Sequence, residues 1–431
     1  MEEIMKEVVI VSGSRTAIGN FGGVFKSVTA VQLGSIVLQD VLSKAGLRPA
    51  IDKNAAHLQP ALLPDESTIT IDGRHTWDDT LRPIVIDEVI MGNVLQAGIG
   101  QNPARQSMVS AGYSVTTPAF TINKVCASGL KAIAIGASAI MTGQSEVIVA
   151  GGQESMSNCP MALPKGRWGH RMEISGAGEV TDLLVHDGLY EKFYGYHMGI
   201  TAENIAALYG ISREDQDALA LISHTRARHA ITNNLFDDEI VPVSLPLRNG
   251  NGDITVDERP MDTTMEKLAR LRPVFKKDGS VTAGNASGVN DGAAAVLMMS
   301  AERAKELQLT PFATIAGFGA SGLDPAYMGL GPVPAIRKTL ANTGMEIGDI
   351  DLIELNEAFA AQAIGCMKEL NIDLEKPNEL GSGISLGHPI GCTGARQMVT
   401  AIHQLQRKSY ETGLISMCIG GGMGMAMTIR R

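Results

Sequence analysis

The sequence predicts an α/β protein of two similar halves with a segment of different texture inserted between them. Three observations carry this: strand-sized runs alternate with helix-sized ones, the chain repeats itself, and composition changes between Ser155 and Thr282. The alternation is seen at Val8–Ser12 before Val31–Ala45, at Glu146–Ala150 after Gly129–Met141, and at Gly413–Cys418 after Ala395–Gln406. β-Branched runs separated by alanine-rich stretches mark βαβ units and predict a largely parallel, buried sheet.

The repeat pairs Ile86-Asp-Glu-Val-Ile-Met-Gly-Asn93 with Ile350-Asp-Leu-Ile-Glu-Leu-Asn-Glu357. An alanine-rich segment follows each copy, then a second short strand ending in a reactive side chain. That side chain is Cys126 in the first copy, 40 residues on, and His388 in the second, 38 residues on. Small residues, a helix and a strand ending in glycines complete each copy, at Ile148–Gly152 and Ile415–Gly422. Stacking two homologous halves places matching turns, and so Cys126 and His388, near a shared pseudo-twofold axis.

From Ser155 to Thr282 the chain is richer in charge, proline and glycine, with one clear helix at Ser212–Asn233 that Ser212 and Asp215 open as a capping box. The expected division is 1–154 with 283–305, then the inserted 155–282, then 306–431. Pro49–Arg82, polar and turn-rich, is expected as a surface insertion.

At 431 residues the chain exceeds the size at which single cores stop growing, and 44% apolar with 19% charged residues is an ordinary globular composition. The net charge of −10 argues against nucleic acid or an anionic membrane as partner; a small anionic substrate would need a local basic patch. Cys126, Cys159, Cys366, Cys392 and Cys418 are odd in number and lack a CxxC pair, which fits neither a disulfide framework nor a zinc site and suggests a reducing compartment. Met1–Ser14 lacks signal-peptide character, Leu414–Ile429 is too short and glycine-rich to span a bilayer, and Ile-Arg-Arg is no peroxisomal address. A soluble cytoplasmic protein is expected.

Four segments carry chemistry. In Lys124-Val-Cys-Ala-Ser-Gly-Leu-Lys-Ala132, Cys126 stands between a strand at Phe120–Ile122 and a helix, where free N–H groups and the macrodipole lower a thiol's pKa. A plain core cysteine is the competing reading. In Ser385-Leu-Gly-His-Pro-Ile-Gly-Cys-Thr-Gly-Ala395, His388 occupies the turn that matches Cys126 and is placed to deprotonate a thiol, unless it is only a turn residue. In Cys418-Ile-Gly-Gly-Gly-Met-Gly424 a second thiol faces the same region, and the glycines let backbone N–H groups approach an oxyanion. In Leu355-Asn-Glu-Ala-Phe-Ala360, Asn356 can donate to an oxyanion directly or through water, and Glu357 is a helix-start charge. Two patterns fail: Gly317-Phe-Gly-Ala-Ser-Gly322 is followed by Leu-Asp-Pro and opens no dinucleotide helix, and His224 and His229 are five apart, wrong for a metal pair.

Together these segments, with GNASGVNDGAAA (Gly284–Ala295), NEAFAAQ, SGSRTAIGNFGG and MGNVLQAGIGQNPARQ, resemble the thiolase family over nearly the whole chain apart from Pro49–Arg82. The resemblance implies the thiolase fold, a five-layered αβαβα arrangement with a loop subdomain, and a homotetramer built as a dimer of dimers. It implies ping-pong chemistry on coenzyme A thioesters, without a metal or a separate cofactor. Cys126, deprotonated by His388, takes the acyl group, and Cys418 exchanges the proton of the acetyl methyl. His388 with an Asn356-held water, and the N–H groups of Cys126 and Gly420, receive the two oxyanions. Acetyl-CoA, acetoacetyl-CoA and CoA are the implied ligands. Ser287 would meet the pantetheine arm, and His197, Met198, Met328 and Phe359 would line the acyl pocket.

The sequence departs from the family pattern at Glu379-Leu-Gly-Ser-Gly-Ile-Ser, in the Pro49–Arg82 insertion, and at Met261, where a basic residue often stands; a CoA phosphate would fall to Arg259 or elsewhere. A β-ketoacyl synthase, a longer-chain 3-ketoacyl-CoA thiolase and a non-catalytic CoA-binding scaffold are the alternatives. The first uses a second histidine where this chain has Cys418, and a scaffold would have lost one of Cys126, Asn356, His388 and Cys418.

Overall fold

The computed structural model describes residues 5–52, 57, 59, 60, 62, 63, 71–169, 178–247 and 250–431. The apolar runs become β1 (Val8–Arg15), β2 (Glu88–Gly92), β3 (Ala119–Ile122), β4 (Val147–Ser155), β5 (Asn290–Ser300), β6 (Ala313–Gly322), β7 (Leu352–Leu355), β8 (Thr412–Ile419) and β9 (Met423–Arg430). Their order is β7-β8-β9-β6-β1-β5-β4-β2-β3, with the two-residue strand Gly19–Asn20 beside β5.

Only Val9↔Thr314 and Ile10↔Ala313 join β1 to β6, so the path divides there into two halves. Within each half the pairing repeats: β2-β4-β5-β1 on one side matches β7-β8-β9-β6 on the other, with the first pair parallel and the next two antiparallel. The sheet is therefore not largely parallel as the sequence suggests; parallel pairing is confined to β2–β3, β2–β4 and β7–β8. The reason is that each half closes with a returning strand, β5 or β9, and β9 follows β8 through a glycine hairpin at Gly420–Gly422. A strand buried on both faces is a continuous apolar run in either direction, so the pattern does not reveal its sense.

The helices are α1 (Ala30–Lys44), α2 (Pro103–Ser110), α3 (Ser128–Met141), α4 (Met198–Tyr209), α5 (Arg213–Thr232), α6 (Pro332–Thr343), α7 (Ala360–Leu370) and α8 (Thr393–Lys408). Side chains of β1 alternate between two cores, as the two-residue period of a strand requires. Val9 and Val11 pack with Leu33, Val37 and Val41 of α1 and Met108 of α2. Val8 and Ile10 pack with Leu130 and Ile133 of α3 and Met398 and Ile402 of α8, and Ile415 and Met417 of the other half close the same core. A third core joins Ile336 of α6 and Ile364 of α7 to Ile353, Leu414 and Ala426. The layers thus run helix, sheet, helix, sheet, helix, with α3 and α8 in the centre.

α5 starts at the predicted capping box, with Ser212 Oγ accepting from the Asp215 N–H and Asp215 Oδ2 from the Ser212 N–H, each at 3.0 Å. Of the expected insertion at Pro49–Arg82, the flanks Leu47–Ala50 and Arg82–Val85 pair in parallel, and 53–56, 58, 61 and 64–70 lie outside the described residues. Gly317–Gly322 is the end of β6. Among the described residues no helix is long and apolar enough to cross a membrane.

Arg15 ties β1 to the segment between the halves. It is fully buried; its Nε donates to Glu239 Oε1 at 2.6 Å, and Nη1 and Nη2 donate to the two oxygens of Asp257 at 2.8 and 3.0 Å. Removing one member of such a group strands the buried charges of the others. Arg15→Met is expected to lower stability by about 3–5 kcal/mol in urea denaturation; an unchanged midpoint would show that the two carboxylates find other partners.

Candidate active site

The turn that presents Cys126 is strained and clamped. β3 ends at Ile122, and Val125, a β-branched residue, is held at φ 47°, in the left-handed region such residues avoid. Asn123 Oδ1 accepts from the Val125 N–H at 2.9 Å. Ser128 Oγ accepts from the Lys124 N–H at 2.8 Å and donates to the Val125 carbonyl at 2.6 Å. This puts Cys126 just ahead of α3, with Val125 and Cys126 both lining a cleft.

The thiol does not have the lowered pKa expected from its place at a helix start. Burial pushes it up to about 11, and the Glu154 carboxylate pushes the same way. The N–H groups of Gly420 and Cys126 hydrogen bond toward the sulfur and pull it down, but desolvation outweighs them.

His388 follows Gly387, which has φ 105°, and its N–H donates to Asn290 Oδ1 at 3.0 Å. The strand expected before it is absent: Gly383–Leu386 forms one helical turn, because the chain is wedged against the 356–357 corner, where a Cβ on Gly383 would lie 2.6 Å from the Glu357 carbonyl oxygen. Two hydrogen bonds fix the imidazole tautomer. Asn356 Nδ2, a donor only, reaches His388 Nε2 at 3.5 Å. On the other side, Thr393 Oγ1 lies 2.6 Å from Nδ1 and donates its own proton to the Pro389 carbonyl at 3.0 Å. The consistent assignment places the proton on Nδ1 and leaves Nε2 as acceptor. Burial and the Arg396 charge lower the His388 pKa to about 3, so the ring is neutral.

Asn356 follows β7, fully buried, with Oδ1 lacking any protein partner, a place for a water. Cys418, in β8, does not line the cleft; it lies fully buried behind it, and burial and the neighbouring Cys126 raise its thiol well above the ordinary value. Gly420 does line the cleft, and a Cβ there would meet Met198 Cε at 2.9 Å. Ser287, His197, Met198, Met328 and Phe359 also line the cleft, together with Gly188, Leu189, Ala358 and Ile390. His197 caps α4, accepting from the Gly199 N–H on Nδ1 at 3.0 Å, and stacks on Phe275 with centroids 4.5 Å apart.

Arg259 lies outside this cleft. Its Nε donates to the Ile384 carbonyl at 2.8 Å and Nη2 to the Ala286 carbonyl at 3.1 Å, and it lines a separate cleft of about 700 Å³ with Asn20, Phe21, Glu258, Met261 and Val289. Residues in or behind the first cleft to which the sequence assigns no role include Thr393 beside the imidazole, Phe275 behind His197, and Leu189 in the wall. Thr393 sits five residues past His388 in the same motif, a signal that was available; the other two carry none.

Comparison with known proteins identifies the family to which this fold belongs. The thiolase N-terminal domain family matches residues 8–55 and 77–302, and the thiolase C-terminal domain family matches 309–431. An acetyl-CoA acetyltransferase of Chromobacterium violaceum is 47% identical over 99% of this chain and 100% of its own. The solved structure of the Bacillus anthracis acetyl-CoA acetyltransferase superposes with a TM-score of 0.88 at 44% identity, covering 100% of both chains. That of human mitochondrial 3-ketoacyl-CoA thiolase gives 0.86 at 37% identity, covering 99% of both.

With the thiol pushed up to about 11 and only the thiolate nucleophilic, alkylation of Cys126 by iodoacetamide should still be accelerating above pH 9. Peptide mass spectrometry of the alkylated cysteine checks this; a rate that levels off near pH 8 would mean the two N–H groups outweigh burial.

Proposed function

The chain belongs to the thiolase family, and we propose that it is an acetyl-CoA C-acetyltransferase, joining two acetyl-CoA into acetoacetyl-CoA and CoA or running the reverse cleavage. The observation that carries this reading is the meeting of Cys126, His388 and Gly420 on one apolar-walled cleft, with Asn356 and Cys418 directly behind it. The relatives named acetyl-CoA acetyltransferase, at 44 and 47% identity, favour the short acyl group over the longer-chain reading. A β-ketoacyl synthase is disfavoured by Cys418, which occupies the end of the last parallel strand of its half.

In the first half-reaction, His388 Nε2 takes the Cys126 proton as the sulfur attacks the thioester carbonyl. The N–H groups of Cys126 and Gly420, already aimed at this sulfur, receive the oxyanion. CoA leaves as a thiol with the proton from His388, and the acetyl group stays on Cys126. In the second, Cys418 passes its proton to the now neutral His388 and, as the thiolate, takes a methyl proton from another acetyl-CoA. The enolate oxygen faces His388 and a water on Asn356; the carbanion attacks acetyl-Cys126, the bond from the acetyl carbon to sulfur breaks, and the Cys126 sulfur regains a proton from His388. Exchanging one thioester for another changes free energy little, which suits cysteine to the acceptor role. Ser287 meets the pantetheine arm, and Met198, Met328 and Phe359 limit the acyl group. A CoA phosphate is assigned to Arg259 Nη1, which makes no hydrogen bond among the described residues. No separate cofactor is invoked. A cytoplasmic homotetramer fits five free cysteines and an edge strand, β3, that has no partner on its outer side within the described residues.

Acetyl-CoA alone should load one acetyl group onto Cys126, visible in the intact mass, and Cys126→Ala should remove it. Cys418→Ala should retain loading yet lose acetoacetyl-CoA cleavage by about 10²–10⁴-fold. Full cleavage activity in either variant would overturn the assignment.

A further inference from the structure

Glu154, the penultimate residue of β4, is fully buried, and the mechanism above gives it no part. Its Oε1 accepts from Asn93 Nδ2 at 2.6 Å and the Leu95 N–H at 3.2 Å. Its Oε2 accepts from the Val94 N–H at 3.0 Å and the Gly391 N–H at 2.9 Å. Three of these donors belong to the loop that leaves β2, in the half that carries Cys126. The fourth belongs to the loop of His388, in the other half. Val94, Leu95 and Ile390, the side chains of the two loops joined in this way, pack in one cluster with Cys126.

Three of the four partners are backbone N–H groups, which only donate, and the Asn93 amide turns its NH₂ to the carboxyl as well, so the carboxylate form satisfies all four. Burial pushes Glu154 up to about 7, while its four hydrogen bonds act in the opposite direction. The geometry decides for the carboxylate. The titratable groups around the Cys126 thiol are Glu154, His388 and Cys418, from β4, the loop before α8, and β8; Cys159 and Cys392 face the carboxylate as well.

We propose that Glu154 is a positioning residue for this reaction: its carboxylate clasps the His388 loop to the Cys126 half, and its charge opposes a free thiolate at Cys126, so that the thiolate forms only as the proton passes to His388. The inference rests on the thiolase reading. It gives the enzyme a resting nucleophile that stays a thiol, shielded from stray electrophiles, and ties its activation to the alignment of the base.

The test measures two quantities on the full chain: the pH dependence of Cys126 alkylation by iodoacetamide, which needs no substrate, and kcat and KM for acetoacetyl-CoA cleavage. Glu154→Gln keeps the shape, removes the charge and turns an amide NH₂ toward N–H donors. Alkylation at pH 8 should become faster, while kcat falls about 10²-fold from lost alignment with KM within threefold. A structural defect alone would not speed one reaction and slow the other. Asn93→Ala keeps the charge and removes one bond; kcat should fall while the alkylation profile stays in place. Unchanged kcat and alkylation in Glu154→Gln overturn the proposal, and if that variant fails to fold, a wild-type kcat in Asn93→Ala does so. A wild-type protein without cleavage activity would instead overturn the acetyltransferase reading, and the alkylation shift would still test the effect of the Glu154 charge on Cys126.

Discussion

Where α3 and α8 begin, the two halves meet backbone to backbone. A Cβ on Gly152 would overlap the Gly391 carbonyl oxygen, one on Gly129 would lie 2.9 Å from the Ala395 nitrogen, and one on Gly394 would lie 2.6 Å from the Leu130 nitrogen. Main chains approach this closely only where side chains are missing. The approach brings two helix starts, and the turns that lead into them, within reach of one cleft. The duplication supplies the two turns, and the glycines let them meet. The five layers follow from the same contact, because α3 and α8 become the central layer that both sheets must cover.

Polar groups enclosed by this contact need partners, since water is excluded. Glu154 finds four N–H donors, and Arg396 pairs with Glu354 at 3.2 Å, both fully buried. Arg15 serves the same need further along the sheet, holding Glu239 and Asp257. Burying ions in this way gives little net stability, because desolvation offsets the attraction. What it secures is register: each group loses its partner if the halves slide. The strain at Val125, about 1–3 kcal/mol for such a conformation, is held by Asn123 and Ser128 inside the same joint. The charges also act at a distance. Arg396 disfavours imidazolium at His388 and Glu154 disfavours thiolate at Cys126, so both partners of the first proton transfer rest uncharged.

Much of this was legible in the sequence, for an identifiable reason. Repeat spacing survives duplication, so the likeness of Ile86–Asn93 to Ile350–Glu357 places Cys126 and His388 in matching turns from the sequence alone. The glycine-ended strand at Cys418 followed from the same comparison. Strand direction was not legible, because β4, β5 and β8 are apolar on both faces whichever way they run. The helical turn at Gly383–Leu386 was hidden for a related reason: the second half has diverged there, trading the counterpart of β3 for a wedge against Glu357. The direction of the Cys126 shift was misjudged because a helix start is visible in sequence while desolvation depends on Val94, Leu184 and Ile390, which come from three distant segments. Glu154 was passed over entirely; a lone glutamate after two glycines has no meaning until its four donors converge.

The protonation states also bear on how the chemistry can begin. A thiolate–imidazolium pair formed in advance would be costly here, with burial raising Cys126, burial and Arg396 lowering His388, and Glu154 adding repulsion on the sulfur side. The proton therefore moves most easily when the carbonyl carbon is already in place to take up the developing negative charge, passing it to an oxygen that the Cys126 and Gly420 N–H groups receive. Cys418 obeys the same logic. A fully buried thiol with a raised pKa is a poor resting anion, but it is a closer match to a thioester's weakly acidic methyl group than a carboxylate would be. Dryness, which works against both sulfurs at rest, makes each proton transfer wait for the bond change that it serves.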